Sequence, residues 1–181
     1  MAVPHSFPPV KLVAGLIFSG EEARGRAEKE LRALFGAIEA RSPVLNFDLT
    51  DYYAREMGPQ PLKRAFISFE TLISPEELPG IKLRTIALEE KIRLALGADA
   101  RPVNIDPGYL TKAALIMATA KDFSHRVPLR DGIYAHLELL FTKTGVRTLD
   151  WTYPDLKRVE YHDFFRSVRA LYLEQLKEKR D

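Results

Sequence analysis

Alternation of apolar and polar side chains is the feature that most constrains the fold of this chain. It recurs in residues 44–53, 103–110 and 132–143, where every second side chain is mostly apolar. That spacing is typical of β-strands with one buried face, because successive side chains of a strand point to opposite sides of the sheet. Residues 11–19 form a continuous apolar run instead, which predicts a buried strand. The chain therefore requires a sheet with other elements packed against it.

Three segments carry apolar side chains at helical spacing. The first runs from Ser19, a residue that favours the N-cap position, to about Ile38. The second opens on the S-P-E-E string at Ser74, which combines a cap, a first-position proline and a capping-box acid, and its main helix ends at Gly97. The third covers residues 160–179. Helices and strands therefore alternate along the chain.

Further strands are predicted at residues 62–73 and 146–152. Residues 115–119 fit a strand or a helix, and their length and flanks favour a strand. Pro107 and Gly108 are expected to turn or bulge the strand that contains them. The order strand, helix, strand, strand, helix, strand is the ferredoxin-like βαββαβ pattern, extended here by a C-terminal hairpin and helix. We expect an α+β fold in which helices cover one face of a mostly antiparallel sheet.

Composition excludes several classes of protein. Hydrophobic residues make up 46% and charged residues 29% of the sequence, as in a globular chain rather than a disordered one. The net charge of +2 and the lack of a basic stripe argue against nucleic acid as a partner. There is no cysteine and no apolar run of membrane-spanning length. We expect one cytoplasmic domain over residues 1–181, with a flexible segment at residues 1–10.

Polar side chains on the alternating strands form the first candidate site. If their faces coincide, four carboxylates and a histidine share one surface; the residues are Asn46, Asp48, Thr50, Ser68, Glu70, Asn104, Asp106, His136 and Glu138. Clustered carboxylates favour a bound cation, so Mg²⁺ is the cofactor considered, with Glu70 and Glu138 as its ligands. Contact with water alone also explains polar side chains on an open face.

The K-D-F-S-H-R string contains the second candidate site. Asp122 could hold His125 in one tautomer for acid–base chemistry, while Arg126 and Lys121 could bind phosphate. The same residues also suit a loop in which Arg126 pairs with Asp122 or Asp131.

A third candidate site lies in the D-P-G-Y string. A tight turn at Pro-Gly would set Asp106 and Tyr109 at a cleft, whereas a bulge would only terminate strand pairing.

These candidates predict a domain that binds a small molecule, a nucleotide or another phosphate-bearing ligand. Metal-assisted phosphoryl transfer or hydrolysis is the chemistry such a site would support, with Asp106, Asp122 and His125 as catalytic groups. Arg126, Lys121 and Tyr109 would bind the ligand. The alternative is a non-enzymatic interaction module that binds protein or RNA on the open sheet face. No phosphate loop, G-x-G-x-x-G, H-E-x-x-H or G-x-S-x-G motif is present.

Several strings spread along the chain carry a resemblance to a known family. They are DLTDYYAREMG, LKRAFISFETLI, LPGIKLRT, VNIDPGYL, KDFSHR, GIYA and WTYPDL. In this order they resemble a family of bacterial proteins classed as domain of unknown function 4416, over residues 11–173. The resemblance implies no reaction or cofactor. One departure is His136, at a position where the resemblance implies an acidic residue.

Overall fold

One sheet runs through the part of the chain that the computed structural model describes, residues 3–48 and 52–178. Its strands are β1 (Val10–Phe18), β2 (Ile38–Arg41), β3 (Leu45–Asn46), β4 (Lys63–Ile73), β5 (Val103–Leu110), β6 (Ala114–Thr119), β7 (Val127–Pro128), β8 (Tyr134–Phe141) and β9 (Val146–Thr148). The α-helices are α1 (Glu21–Phe35), α2 (Tyr52–Met57), α3 (Leu78–Ala95) and α4 (Val159–Glu178), and 3₁₀ turns cover Pro75–Glu77 and Pro154–Lys157. No helix in these residues has the length and apolar character needed to cross a membrane.

The strands are arranged in the order β2-β4-β1-β5-β6-β8-β7, with β3 beside β4 and β9 beside β8. Every described pairing is antiparallel. The predicted α+β class with a mostly antiparallel sheet is confirmed, and residues 115–119 lie in a strand. β1 occupies the interior of the sheet and is buried along its whole length, from Val10 onward, as its apolar run predicts.

Helices α1 and α3 pack on one face of the sheet. The even-numbered side chains of β1, from Leu12 to Phe18, point to this face and join an apolar cluster with both helices. The helix members of the cluster are Ala23, Ala27, Leu31, Ile81, Leu88 and Ile92. Removing apolar side chains from water contributes about 25 cal/mol per Å², so this layer is a major source of stability.

Helix α4 packs on the opposite face. Val13 of β1 and Phe66 of β4 point to that face and contact a second apolar cluster, whose α4 members are Tyr161, Phe164, Phe165 and Val168. The prediction that helices cover only one face is therefore wrong. The physical reason is that β1 is apolar on both sides, so both sides require an apolar cover, and the amphipathic α4 supplies the second one.

Several segments differ from their predicted limits, among them residues 146–152, of which only 146–148 form a strand. α1 ends before Gly36, whose φ of +93° terminates the helix, and Ile38 begins β2 instead of ending the helix. Residues 44–53 are predicted as one strand, but only β3 is strand and α2 follows; residues 49–51 lie outside the described part. Phe47 and Tyr53 of this segment pack in a small cluster with Ile17, whereas Leu45 packs against the α4-face cluster.

Pro107 and Gly108 neither turn nor end their strand, and that prediction is wrong: β5 continues through both to Leu110. Gly108 is needed because of the close approach of β6. A Cβ on Gly108 would lie 2.4 Å from Sδ of Met117 and 2.5 Å from the backbone oxygen of Ile116. The glycine therefore permits strand contact instead of a turn.

We expect Gly108→Ala to destabilise the fold by about 1–3 kcal/mol, because the added methyl group overlaps a backbone oxygen that cannot move freely. Gly25→Ala is the matched control. It lies on the exposed side of α1 with no atom within 4 Å of the added Cβ, and we expect a gain of about 0.5–1 kcal/mol from helix propensity. Urea denaturation measures both changes. Equal stabilities of Gly108→Ala and wild type would show that β5 and β6 are further apart than described.

Candidate functional site

A cavity of about 730 Å³ opens where β5 and β6 separate. The two strands pair only through residues 108–110 and 115–117. Before residue 108, β5 has no pairing with β6, and the opening is bounded by both strands, by β8 and by the 154–157 turn. Polar side chains from several elements line it, including Arg64, Lys82, Asp106, Arg126, His136 and Glu138.

Side chains of α3 take the place of the missing strand along β5. The backbone N–H of Ile105 donates to Oε1 of Glu89 at 2.6 Å, and the Ile105 carbonyl accepts from Nζ of Lys82 at 2.9 Å. Both backbone groups are buried, so without these partners each would cost the free energy of an unmade hydrogen bond. Arg101 pairs with Glu89 at 3.0 Å. Helix α3 thus stabilises the separated edge that forms one wall of the cavity.

Asp106 is the shared anion of the cavity wall. Nη1 of Arg64 lies 3.1 Å from Oδ2 of Asp106, Nζ of Lys82 lies 3.3 Å from Oδ1, and Asn104 donates to Oδ2 at 2.8 Å. Burial opposes ionisation of this carboxyl, but the two cations and the hydrogen bonds outweigh it and lower the pKa of Asp106 to about 2. Asp106 is therefore a charged structural anchor at neutral pH rather than a proton donor.

Arg64 crosses β1 to join two carboxylates. Besides Asp106, its Nε lies 3.1 Å from Oδ2 of Asp155 in the 154–157 turn. Burial lowers the pKa of Arg64, but the combined effect of Asp155 and Asp106 raises it by more, so the net shift is upward. Gly15 makes this crossing possible, since a Cβ there would lie 2.6 Å from Nη2 of Arg64 and 2.7 Å from the Phe66 ring. This cation fixes the position of the turn relative to the sheet.

His136 and Glu138 lie on β8 beside the cavity, and a β-bulge sets their positions. Leu139 pairs with Leu115 and Leu137 with Ile116, so Glu138 is the extra residue. Both side chains line the cavity. Nδ1 of His136 lies 3.1 Å from Oε1 of Glu138, and Oε2 of Glu138 accepts from the backbone N–H of Tyr153 at 3.0 Å.

Burial shifts the two groups in opposite senses. It lowers the pKa of His136 to about 4, with Arg126 and His125 adding to the effect. It raises the pKa of Glu138 to about 8, against the hydrogen bond from Tyr153. At neutral pH, Glu138 therefore keeps its proton. Shifts of this size in groups that line a cavity are typical of functional sites.

The K-D-F-S-H-R string forms a loop that brings Lys121, Asp122 and Arg126 to the cavity. Nη1 of Arg126 donates to the Lys121 carbonyl at 2.7 Å and Nη2 to the Tyr153 hydroxyl at 2.8 Å. In the described chain Asp122 is exposed and forms no ion pair with His125 or Arg126. The predicted Asp–His pair and the alternative Arg126 ion pairs are therefore not formed.

The His125 ring contacts other aromatic rings rather than a carboxylate. It stacks on Trp151 with centroids 5.2 Å apart and an angle of 10°. The same ring lies 4.7 Å from that of His136. His125 thus packs against the buried pair instead of forming one with Asp122.

Two predicted residues lie away from the cavity. Tyr109 packs against Leu78 on the α1–α3 face, and Glu70 is exposed near the end of α4, where its carbonyl accepts from Gln175 at 3.0 Å. Glu70 and Glu138 are therefore not brought together. Among residues 3–48 and 52–178 there is no group of three or more His, Asp and Glu arranged to hold a metal ion.

The prediction missed Arg64, Lys82, Tyr153 and Asp155. One sequence signal pointed toward Arg64: a glycine inside an apolar strand, here Gly15, indicates close approach of another group. The other three reach the cavity from a helix and a turn, whose placement depends on the tertiary fold.

Comparison with known proteins gives one match. A family model described as "Domain of unknown function (DUF4416)" matches residues 8–172, which confirms the resemblance noted in the sequence. No curated protein matches the chain, and no solved structure matches it.

We expect Asp106→Asn to destabilise the protein by about 3–5 kcal/mol, because it leaves two buried cations, Arg64 and Lys82, without their shared carboxylate. The matched control is Asp163→Asn, which breaks an exposed pair with Arg166 at 3.4 Å and should cost about 0–1 kcal/mol. Urea denaturation midpoints compare the two. A loss no greater than that of the control would exclude Asp106 as an anchor.

A second prediction concerns pH. Between pH 6.5 and 8, Glu138 is ionised in the unfolded chain but protonated in the native state, given its pKa of about 8. The native state then binds more protons, so stability falls as pH rises, by at most about 1.4 kcal/mol per pH unit. Below pH 6.5 the lowered pKa of His136 acts in the opposite sense.

Thermal denaturation at a series of pH values tests this dependence. We expect Glu138→Gln to lose the decline between pH 6.5 and 8, since its amide does not titrate, and the exposed-site variant Glu160→Gln to keep it. An unchanged decline in Glu138→Gln would assign the dependence to another group.

Proposed function

The chain belongs to the family of the domain of unknown function DUF4416, and on that premise we propose that it binds a small phosphate-bearing molecule in the cavity between β5 and β6. The observation that carries the proposal is the state of Arg126. Its guanidinium is held by the Lys121 carbonyl and the Tyr153 hydroxyl. In the described residues it has no carboxylate partner, and its buried Nε has no hydrogen bond.

A held arginine without a counter-ion suits an incoming anion. Its planar fork presents parallel N–H donors that match a phosphate or carboxylate, and two of its N–H groups are already fixed by protein. Other cations of the cavity are already engaged: Arg64 and Lys82 bind Asp106, and Arg101 binds Glu89. Arg126 is therefore the best-placed group for ligand charge.

The rest of the cavity suits the organic part of such a ligand. Ile17, Phe47, Ile86 and Met117 line it with apolar surface. A volume of about 730 Å³ falls in the range of small-molecule sites, about 300–1,000 Å³. Apolar walls with a few convergent polar groups are the usual composition of a ligand site.

The alternative function, a partner protein or RNA on the open sheet face, has less support. Helix α4 covers much of that face through Phe165 and Val168.

We also propose that β2, β4, β1 and β5, with α1 and α3, form a ferredoxin-like unit. Its support is their order in the sheet and their antiparallel pairing. The strands from β6 onward would then be an extension that forms the far wall of the cavity.

Isothermal titration with inorganic phosphate, AMP and ATP tests the binding proposal. We expect heat with at least one of them, and a ligand at 100 times its Kd should add about 2.7 kcal/mol to stability. Arg126→Gln should weaken this binding at least about tenfold, a loss of about 1.4 kcal/mol. Arg26→Gln, an exposed arginine on α1, is the control and should bind as wild type does. No heat and no thermal shift with any of the three probes would refute the proposal.

A further inference from the structure

Three buried polar atoms of the pair His136 and Glu138 have no hydrogen bond in the described structure. They are Nδ1 and Nε2 of His136 and Oε1 of Glu138. Only 2% of His136 and 0% of Glu138 is exposed. Most buried polar atoms of native proteins are hydrogen-bonded, so a group of three requires an explanation. A ligand atom at Nε2 and a proton between Nδ1 and Oε1 would satisfy all three.

The arrangement fixes the imidazole in one orientation. Glu138 is held by the backbone N–H of Tyr153, and its other oxygen lies 3.1 Å from Nδ1 of His136. The ring packs between His125, with centroids 4.7 Å apart, and Tyr153, at 5.4 Å. Nδ1 is occupied by Glu138, so Nε2 is the nitrogen left for a ligand.

The protonation of the pair decides what Nε2 offers. When the pair carries two protons, they are distributed either as carboxylic acid and neutral imidazole or as carboxylate and imidazolium. With a proton between Oε1 and Nδ1, both distributions leave an N–H at Nε2. The raised pKa of Glu138 keeps the second proton in place at neutral pH. Nε2 of this cavity-lining residue is then a hydrogen-bond donor, and loss of the second proton converts it to an acceptor.

We propose that the protein hydrolyses phosphate esters, with His136 Nε2–H as the general acid and Glu138 as the positioning residue that resupplies its proton. This inference rests on the proposed binding of a phosphate-bearing ligand at Arg126. Water forms the new O–P bond, and the bond from phosphorus to the ester oxygen breaks. Nε2–H gives its proton to that departing oxygen, while Nδ1 takes the proton of Glu138. The proton released by the attacking water returns through solvent to Nε2, and the proton on Nδ1 moves back to Glu138, which closes the cycle.

The step fits the charges around the pair. Arg126 lies close enough to influence the ionisation of both His136 and Glu138, so a phosphoryl group on Arg126 would be near the donor. A bound dianion stabilises positive charge on the imidazole, so the pair keeps the proton that the general acid has to donate. The titratable and charged groups that face the pair are Arg64, His125, Arg126, Tyr153 and Asp155.

The test compares two esters that differ in their need for an acid. Phenyl phosphate has a poor leaving group that requires a proton, whereas p-nitrophenyl phosphate has a good one that does not. We expect His136→Gln to slow hydrolysis of phenyl phosphate about 10²–10⁴-fold, the usual contribution of general acid–base catalysis, and to slow p-nitrophenyl phosphate far less. His5→Gln, an exposed histidine outside the cavity, is the control for the substitution itself.

Glu138→Gln provides a second, independent readout. In wild type, kcat should fall above about pH 8, as the pair loses its second proton. Glu138→Gln should lose this descending limb, because its amide carries no titratable proton. A purely structural role for Glu138 would change the rate without removing the limb. This variant also carries the test if His136→Gln does not fold.

The outcomes separate the two proposals. Phosphate binding without hydrolysis of either ester, or an equal loss on both esters, overturns the role of His136 and leaves the binding function standing. Absence of phosphate binding overturns both. Selective loss on phenyl phosphate together with the lost pH limb supports the pair as donor and reservoir.

Discussion

The separation of β5 from β6 is the constraint on which the rest of the structure depends. Two antiparallel strands that part leave buried backbone groups without partners, and Ile105 has both its N–H and its carbonyl in this position. Glu89 and Lys82 of α3 satisfy them. Without these two side chains, pairing of the strands would be more favourable than separation, because unmade buried hydrogen bonds are costly. The cavity can therefore exist because side chains of α3 make the hydrogen bonds that a neighbouring strand would otherwise make.

The contact between α3 and β5 also determines the positions of the charged side chains around the cavity. Lys82, which binds the Ile105 carbonyl, also lies beside Asp106. Asp106 binds Arg64, and Arg64 binds Asp155 in the 154–157 turn. Breaking a chain of buried ion pairs at one member leaves an uncompensated charge, so its members constrain each other strongly. The position of the turn, and of Tyr153 just before it, is thereby linked to α3 on the far side of the sheet.

Much of the fold could be predicted from spacing, whereas most of the site could not. The apolar run of β1 and the alternation in β5 and β8 identified strands correctly, because burial on one or both faces leaves a local pattern. The coverage of both sheet faces was missed, although the apolar character of β1 on both sides contained that information. Asp106, Arg126 and Glu138 were identified as polar strand or loop residues, but the contacts of Arg64 and Lys82 arise from strand crossing and helix docking. Such contacts leave no periodic signal.

Glu138 shows why the chemistry of a site can depend on a single extra residue. In a regular strand, His136 and Glu138 would point to one face of the sheet, and Leu137 and Leu139 would point to the other. The bulge breaks this alternation, so that Leu139 joins the apolar cluster beneath α4 while Glu138 remains beside His136. Burial raises the pKa of Glu138 and lowers that of His136. The bulge therefore places one residue of the α4 core and the two titratable groups of the cavity on the same stretch of β8.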